Sequence, residues 1–170
     1  RYFSFEDDEF GSVAPKGFTT VDADHKATVQ PLMINYPNIG NAYAYIVINQ
    51  QPEPEGADWR NIYPRSGDQL LATMATADGT EAVDWIISDQ MTARNDAKFR
   101  FYAKSYDGDN TYHPWAYLTV LVSTTDNAVS SFTPLSGFTS VQVPHKNNND
   151  SQTSWTEFDV DLSAYAGQKI

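Results

Sequence analysis

The sequence predicts an all-β fold in which two antiparallel sheets pack face to face as a β-sandwich. Short segments rich in aromatic and β-branched residues recur along the chain between clusters of turn-forming residues. Apolar and polar residues alternate over residues 155–162, as they do in a strand with one buried and one solvated face. Little helical periodicity accompanies these segments, and many short strands without helices favour two packed sheets.

The first half of the chain contains four predicted strands. Residues 2–5 are short and aromatic, and residues 42–48 form a nearly continuous apolar run. Residues 69–76 and 82–88 follow as two further strands. Residues 51–56 contain prolines that cannot donate to a sheet ladder, so we interpret this stretch as a loop between strands.

The second half opens with the clearest pair of strands, residues 98–104 and 117–123, both rich in aromatic or β-branched side chains. The polar loop between them contains an Asp-Gly turn signal at residues 107–108. We therefore expect the two strands to be joined as a hairpin.

The last part of the chain contains two more predicted strands, residues 139–143 and 156–162. The chain then turns, and Gly167 can supply a backbone conformation that other residues resist. Residues 165–170 indicate a turn that leads into the start of a further strand.

Composition predicts a single domain over residues 1–170. A chain of 170 residues, of which 41% are hydrophobic, can bury one core of ordinary size. The chain has 22 Asp and Glu against 11 Lys and Arg, and its formal net charge of -11 repels phosphate backbones and anionic lipid surfaces. We therefore expect no nucleic-acid partner.

Cysteine content and hydropathy exclude several classes of site. The chain has 0 Cys, so it forms no disulfide, no thiolate metal site and no cysteine nucleophile. No apolar run approaches the ~20 residues that a membrane-spanning helix needs, so we expect no membrane insertion. We interpret the chain as a mature or excised module with neighbouring domains in a larger chain.

Five short motifs occur in an informative order. They are FSFED at 3–7, VDAD at 21–24, Ser66-Gly67 before Leu70, DWIIS at 84–88, and the segment 155–167. Together they resemble the cleaved adhesin domains, which are modules of the gingipain and haemagglutinin surface proteins and of related bacterial secreted proteins. The resemblance covers almost the whole chain, and its tail and the DWIIS segment are the more specific parts.

The resemblance implies a jelly-roll β-sandwich similar to galactose-binding and carbohydrate-binding modules. Such a module is non-catalytic, is secreted or displayed at the cell surface, and often carries structural calcium. The resemblance also implies one or more closing strands after Ile170.

The resemblance further implies which residues would hold calcium. In similar modules the glutamate of the Phe-Glu pair is a ligand, which here is Glu6, aided by backbone oxygens near Ser4 and by the loop around Asp68 and Leu71. Calcium takes about 6–8 oxygen ligands, and a site shared by the first strand, this loop and the last strand would tie the ends of the chain together. The alternative interpretation is that residues 6–9 form an acidic, solvated turn.

Two other acidic groups are candidates for metal binding. Asp22 and Asp24 would project their carboxylates to one side if their segment is extended. Residues 107–110 offer a second set of oxygens, but they lack the glycine and the glutamate of a helix-loop-helix calcium loop. A hairpin turn at these residues needs no ion.

The ligand-binding hypothesis depends on four aromatic residues in predicted loops: Trp59, Tyr63, Tyr112 and Trp115. Flat side chains beside turn residues can stack on a sugar ring or a protein loop while their polar tips form hydrogen bonds. The alternative is that these residues cap the ends of the core. Trp85 and Trp155 lie within strand patterns, and we predict that they pack in the core.

Catalysis is not predicted. A glycoside hydrolase needs two carboxylates that face each other across a cleft, and Glu6 and Asp8 would share a strand face. They stand, however, at the start of the domain and just before a turn. The chain contains no Gly-x-Ser-x-Gly elbow and no His-Glu-x-x-His motif.

We therefore expect a non-catalytic binding or adhesion module that recognises an extracellular glycan or a host protein. One alternative is a structural spacer domain of a larger surface protein. Another is an accessory carbohydrate-binding module of a secreted protease or glycoside hydrolase.

Overall fold

The structure is a computed structural model, and it describes residues 2–30, 36–49, 64–106, 116–146 and 155–170. Within these ranges the regular structure is β-strand, with two short 3-10 turns and no α-helix. No helix in this part of the chain is long and apolar enough to cross a membrane. The predicted all-β class is confirmed, and the jelly-roll order of the strands stays a prediction.

The chain divides into two compact units, Arg1–Asp89 and Gln90–Ile170. The described part of the first unit contains two antiparallel strand pairs: β1 (Phe18–Asp22) with β4 (Asp84–Ser88), and β2 (Ile46–Asn49) with β3 (Gln69–Ala72). The register places Thr20 opposite Ile86 in the first pair and Val47 opposite Leu71 in the second.

The strands of the first unit differ from the predicted ones at their ends. The structure forms β1, which the sequence analysis did not predict, because its β-branched residues find a partner in the predicted strand β4. Residues 2–5 are not a strand, and Phe5 has a φ of +63°, which is incompatible with extended backbone. The other predicted strands of this unit are present but shorter.

The core of the first unit is centred on β2. Ile46 and Ile48 are buried with Tyr36 and Tyr43, whose hydroxyl groups lie 3.1 Å apart. Burial and this hydrogen bond raise the pKa of Tyr36 above its ordinary value. The two phenols therefore satisfy each other's hydrogen bonding inside an otherwise apolar cluster.

In its described residues, the second unit contains four strand pairs: three are antiparallel, and the pair of Ser105–Tyr106 with His145–Lys146 is parallel. They are β5 (Lys98–Ala103) with β12 (Thr156–Asp161), β6 (Ser105–Tyr106) with β11 (His145–Lys146), β7 (Tyr117–Leu118) with β10 (Val141–Gln142), and β8 (Leu121–Val122) with β9 (Thr133–Pro134). The pattern predicted for residues 156–162 is confirmed, since exposed and buried side chains alternate along β12.

The expected hairpin between residues 98–104 and 117–123 is not formed in the described part of this unit. Instead, β5 pairs with β12, and Phe101 lies opposite Phe158. Both strands alternate apolar and charged residues, so this register aligns rings on one face and opposite charges on the other. Residues 117–123 are divided into β7 and β8, which have other partners.

The turn predicted near the end of the chain is confirmed. Ser163–Tyr165 is a 3-10 turn, and Gly167 follows with a φ of +80°. The backbone groups of Ile170 and Met91 exchange two hydrogen bonds of 2.7 and 2.8 Å. The expected start of a strand is therefore present as an antiparallel bridge to the segment that begins this unit.

Candidate functional site

The N-terminal turn, which we define as residues 5–9, presents a non-extended backbone. The left-handed conformation of Phe5 is one that bulky residues rarely adopt. The Phe5 carbonyl accepts the N–H of Asp8 at 3.1 Å, and the Asp8 carboxylate accepts the N–H of Lys16 at 2.8 Å. The backbone of residues 6–8 is therefore turned and not extended.

The Glu6 side chain joins the N-terminal turn to the loop before β3. Its carboxylate accepts the backbone N–H of Asp68, 3.0 Å from Oε2, and that of Gln69, 3.0 Å from Oε1. Gly67 lies directly against this carboxylate, because a Cβ at Gly67 would stand 2.3 Å from Oε1. The structure thus brings the Glu6 carboxylate to the loop that contains Asp68, and the contact is made by backbone N–H groups of that loop.

The Gln69 side chain makes the reciprocal contact. Its Nε2 donates to three backbone carbonyl oxygens of the N-terminal turn, those of Phe5 at 2.8 Å, Asp8 at 2.9 Å and Glu6 at 3.2 Å. Gln69 begins β3 and lies opposite Asn49, so the strand ladder positions it. We call the hydrogen bonds made by the Glu6 carboxylate and the Gln69 amide the Glu6–Gln69 clasp.

The other two residues predicted to bind calcium lie near the clasp. Ser4 is half-buried and stands two positions before Glu6. Leu71 lies opposite Val47. The N–H of Val47 donates to the carbonyl of residue 12, and its carbonyl accepts the N–H of residue 11, so neither group bonds to β3. In an antiparallel ladder, such a pair has its peptide groups turned outward. The carbonyl of Leu71 therefore faces the outer edge of β3.

The contacts of the clasp do not fit a calcium ion. Calcium takes oxygen ligands at about 2.3–2.6 Å. In the clasp, the three carbonyl oxygens surround the Gln69 nitrogen, and the Glu6 carboxylate faces backbone N–H groups. Amide hydrogens carry partial positive charge and repel a cation, so the donor set is that of a hydrogen-bonded junction.

A second group of side chains has the spacing of metal ligands. Asp22 ends β1, Asp24 follows it, and Asp84 begins β4. One carboxylate oxygen from each residue lies within 4.8 Å of the others. The structure confirms that Asp22 and Asp24 project together, and the register of β1 with β4 brings Asp84 to them. We call these three residues the aspartate trio.

Hydrogen bonds and burial set the electrostatics of the aspartate trio. Asp24 accepts a backbone N–H at 2.6 Å, and Asp84 accepts the Thr73 hydroxyl at 2.8 Å. Burial raises the pKa of Asp84 to about 6; the Thr73 hydrogen bond opposes this rise, and the charges of Asp24 and Asp22 add to it. Burial, with a smaller contribution from Asp84, also raises the pKa of Tyr45 to about 12.

The aspartate trio has the chemistry to hold a proton or a hard cation, because three carboxylates this close repel one another when all are ionised. We assign no ion to it. Sequence reasoning missed Asp84 because its approach to Asp22 depends on the strand register. It also missed Gln69, since the position of Gln69 beside Asp68 indicates nothing about the direction of its side chain.

The four aromatic residues predicted to bind a ligand lie outside the described residues: Trp59, Tyr63, Tyr112 and Trp115. Residues 107–110 lie outside them as well. Trp85 and Trp155 are each half-buried. Among the described residues, three aromatic side chains outside this set are exposed, Tyr2 at 77%, Tyr117 at 58% and Phe99 at 38%.

The solvent face of the β5–β12 pair carries a network of ion pairs. Arg100 lies between two carboxylates, 2.8 Å from Asp159 and 3.2 Å from Glu157. Lys98 also contacts Asp159 at 3.2 Å, and Tyr102 donates to Glu157. The hydrogen bond from Arg100 lowers the pKa of Asp159. Glu157 and Asp159 are therefore paired with cations.

Comparison with solved structures supports the fold. The chain is similar to the K2 cleaved adhesin domain of Lys-gingipain, with a TM-score of 0.60 and 20% sequence identity. The match covers 98% of this chain and 84% of that chain. No family model and no curated protein matches the sequence. The resemblance that the short motifs indicated is confirmed as a likeness in fold.

Proposed function

We propose that this chain is a non-catalytic binding module of the adhesin type, with a jelly-roll β-sandwich fold, in a larger secreted or cell-surface protein. The observation that carries the proposal is the likeness in fold to an adhesin domain over 98% of the chain. The ligand we propose is an extracellular glycan or a host protein, bound at the rim of the module.

The contacts of two pairs of carboxylates support a module without glycoside hydrolase activity at those pairs. Glu6 and Asp8, the pair weighed as hydrolase carboxylates, accept backbone N–H groups from two different segments. Glu157 and Asp159 share one strand face, but Arg100 lies between them. A glycoside hydrolase instead needs an acid and a base or nucleophile that are free to reach the scissile bond.

The proposed binding residues are the loop aromatics Trp59, Tyr63, Tyr112 and Trp115. Aromatic rings contribute large, rigid contact areas and often dominate the binding free energy of an interface. We expect screening on a glycan array and on a panel of extracellular host proteins to identify a ligand for the wild-type chain. Trp59→Ala or Trp115→Ala should then weaken its binding roughly 30-fold, equivalent to about 2 kcal/mol.

The control for this experiment is Tyr2→Ala, which removes an exposed aromatic side chain that is not part of the predicted loops. It should leave both affinity and melting temperature unchanged. A large fall in melting temperature on Trp59→Ala or Trp115→Ala would assign that tryptophan to the core. If no glycan and no host protein binds, the structural spacer would replace adhesion as the function.

Structural calcium, which the resemblance implies, stays a prediction for the module as a whole. The oxygen donors that calcium prefers are present in the aspartate trio. The clasp presents N–H donors instead. A calcium site at Ser4, Glu6, Asp68 and Leu71 would therefore require the clasp to open.

A further inference from the structure

We infer that the Gln69 side-chain amide, rather than a metal ion, holds the N-terminal turn against β3. Three backbone carbonyl oxygens of this turn converge on Nε2 within 3.2 Å. Groups of main-chain carbonyls that point at one centre are common ligands of hard cations. Here the centre is an amide nitrogen that the chain itself supplies.

The distances in the clasp distinguish hydrogen bonding from metal coordination. The Gln69 nitrogen lies 2.8, 2.9 and 3.2 Å from the three oxygens, which is the range of N–H···O hydrogen bonds. The amide carries two hydrogens, so the three acceptors share them. A cation could take the centre of these three oxygens only if the amide left, because the amide nitrogen occupies that position.

The Glu6 carboxylate supports the same inference from the opposite side. It has a negative charge, and the positive ends of two backbone N–H dipoles, from Asp68 and Gln69, point at it. Gly67 permits this approach, because any side chain there would collide with the carboxylate. Turn and strand therefore exchange donors and acceptors in both directions: Glu6 accepts from the strand, and Gln69 donates to the turn.

The backbone conformation of Phe5 indicates that the clasp holds the N-terminal turn in place. A phenylalanine with a φ of +63° is strained and persists only where its surroundings hold it. The Phe5 carbonyl is held by the Gln69 amide and by the N–H of Asp8. Removing the amide should therefore release the turn.

The first test compares melting temperatures in excess EDTA and in millimolar calcium. Gln69→Ala should lower the melting temperature by about 4–8 °C in both solutions, because several hydrogen bonds are lost whether or not calcium is present. Glu6→Gln should also lower it equally in both. Any response of the wild-type protein to calcium should be retained in Glu6→Gln, since that response would arise elsewhere in the chain.

The second test converts the clasp into a cation site. Gln69→Glu replaces the amide donor with a carboxylate beside three carbonyl oxygens and Glu6. This variant should be less stable than wild type in EDTA, and saturating calcium should raise its melting temperature by about 5 °C or more. Gln90→Glu, which adds the same charge at an exposed position, should show no such gain.

Hydrogen exchange on the wild-type protein completes the test and needs no variant to fold. The backbone amides of Asp68 and Gln69 should exchange slowly, at the same rate with EDTA and with calcium, because Glu6 holds them. The inference is overturned if the exchange rates of these amides depend on calcium, or if Glu6→Gln abolishes a calcium response of the wild-type protein. It is also overturned if Gln69→Ala leaves the melting temperature unchanged, or if calcium does not raise the melting temperature of Gln69→Glu. None of these outcomes depends on whether the module binds a ligand.

Discussion

Asp84 is half-buried beside two other aspartates, and this environment raises its pKa to about 6 from an ordinary value of 3.8. The folded protein therefore binds a proton at Asp84 more tightly than the unfolded chain does. A raised folded-state pKa contributes stability that is fully present below 3.8 and is lost as the pH rises through about 6. The groups that face Asp84 are Asp22, Asp24, Tyr45 and the Thr73 hydroxyl.

Asp84→Asn should therefore change the pH dependence of stability. Near pH 4 the protonated aspartic acid resembles asparagine, so the variant and the wild type should melt at similar temperatures. Above pH 6 the variant avoids a half-buried charge beside two like charges, and its melting temperature should be higher by about 2–4 °C, corresponding to roughly 1 kcal/mol after solvent screening.

The control for Asp84→Asn is Asp96→Asn, which removes one carboxylate from an exposed position. It should shift the melting temperature little at either pH. An Asp84→Asn variant that is destabilised equally at both pH values would contradict the prediction, since it would show that removing the charge does not relieve the folded state above pH 6.

At the scale of single elements, the register of β5 with β12 aligns aromatic rings on one face of the pair and opposite charges on the other. On the inner face, the ring of Phe101 lies parallel to that of Phe158, with centroids 5.0 Å apart and an interplanar angle of 9°. On the outer face, Arg100 and Lys98 both contact Asp159. Burial of the rings should contribute more to stability than the exposed ion pairs, which water screens.

This difference predicts unequal effects of two neighbouring substitutions in β12. Phe158→Ala should lower the free energy of unfolding by about 3–5 kcal/mol, because it leaves a cavity against Phe101. Asp159→Ala should lower it by less than about 1 kcal/mol. Urea unfolding followed by fluorescence measures both values, and similar losses for the two variants would mean that the ion-pair network dominates this strand pair.

At the scale of the whole molecule, the net charge of -11 is the property most accessible to experiment. Like charges on a compact chain repel one another more than on an expanded one, so the excess of carboxylates opposes folding. Salt screens this repulsion over about 10 Å at moderate ionic strength. It also weakens the exposed ion pairs, but these contribute little individually.

Sodium chloride should therefore raise the melting temperature at neutral pH, by about 2–4 °C for roughly 1 kcal/mol of relieved repulsion. The internal control is the same titration near the sequence pI of 4.4, where the net charge is small and the effect should disappear. A melting temperature that falls with salt at neutral pH would show that favourable ion pairs outweigh net repulsion.

Strand character was predictable wherever it depends on neighbouring residues. The alternation along residues 156–162 and the turn at Gly167 are local patterns, and both are confirmed. Strand β1 was missed although Pro15 and Gly17 mark a turn just before its short β-branched run. Residues 2–5 were assigned as a strand from their aromatic content, but the contacts of their neighbours with Gln69 impose a turn instead.

The sequence alone determined the all-β class, the positions of most strands, the acidity of the chain and the absence of disulfides. These properties follow from composition and from a two-residue period, which a strand carries in itself. Only the tertiary structure decided that β5 pairs with β12 and that Glu6 meets backbone donors 62 and 63 residues away. Those choices depend on the free energy of contacts between distant segments, to which local patterns contribute nothing.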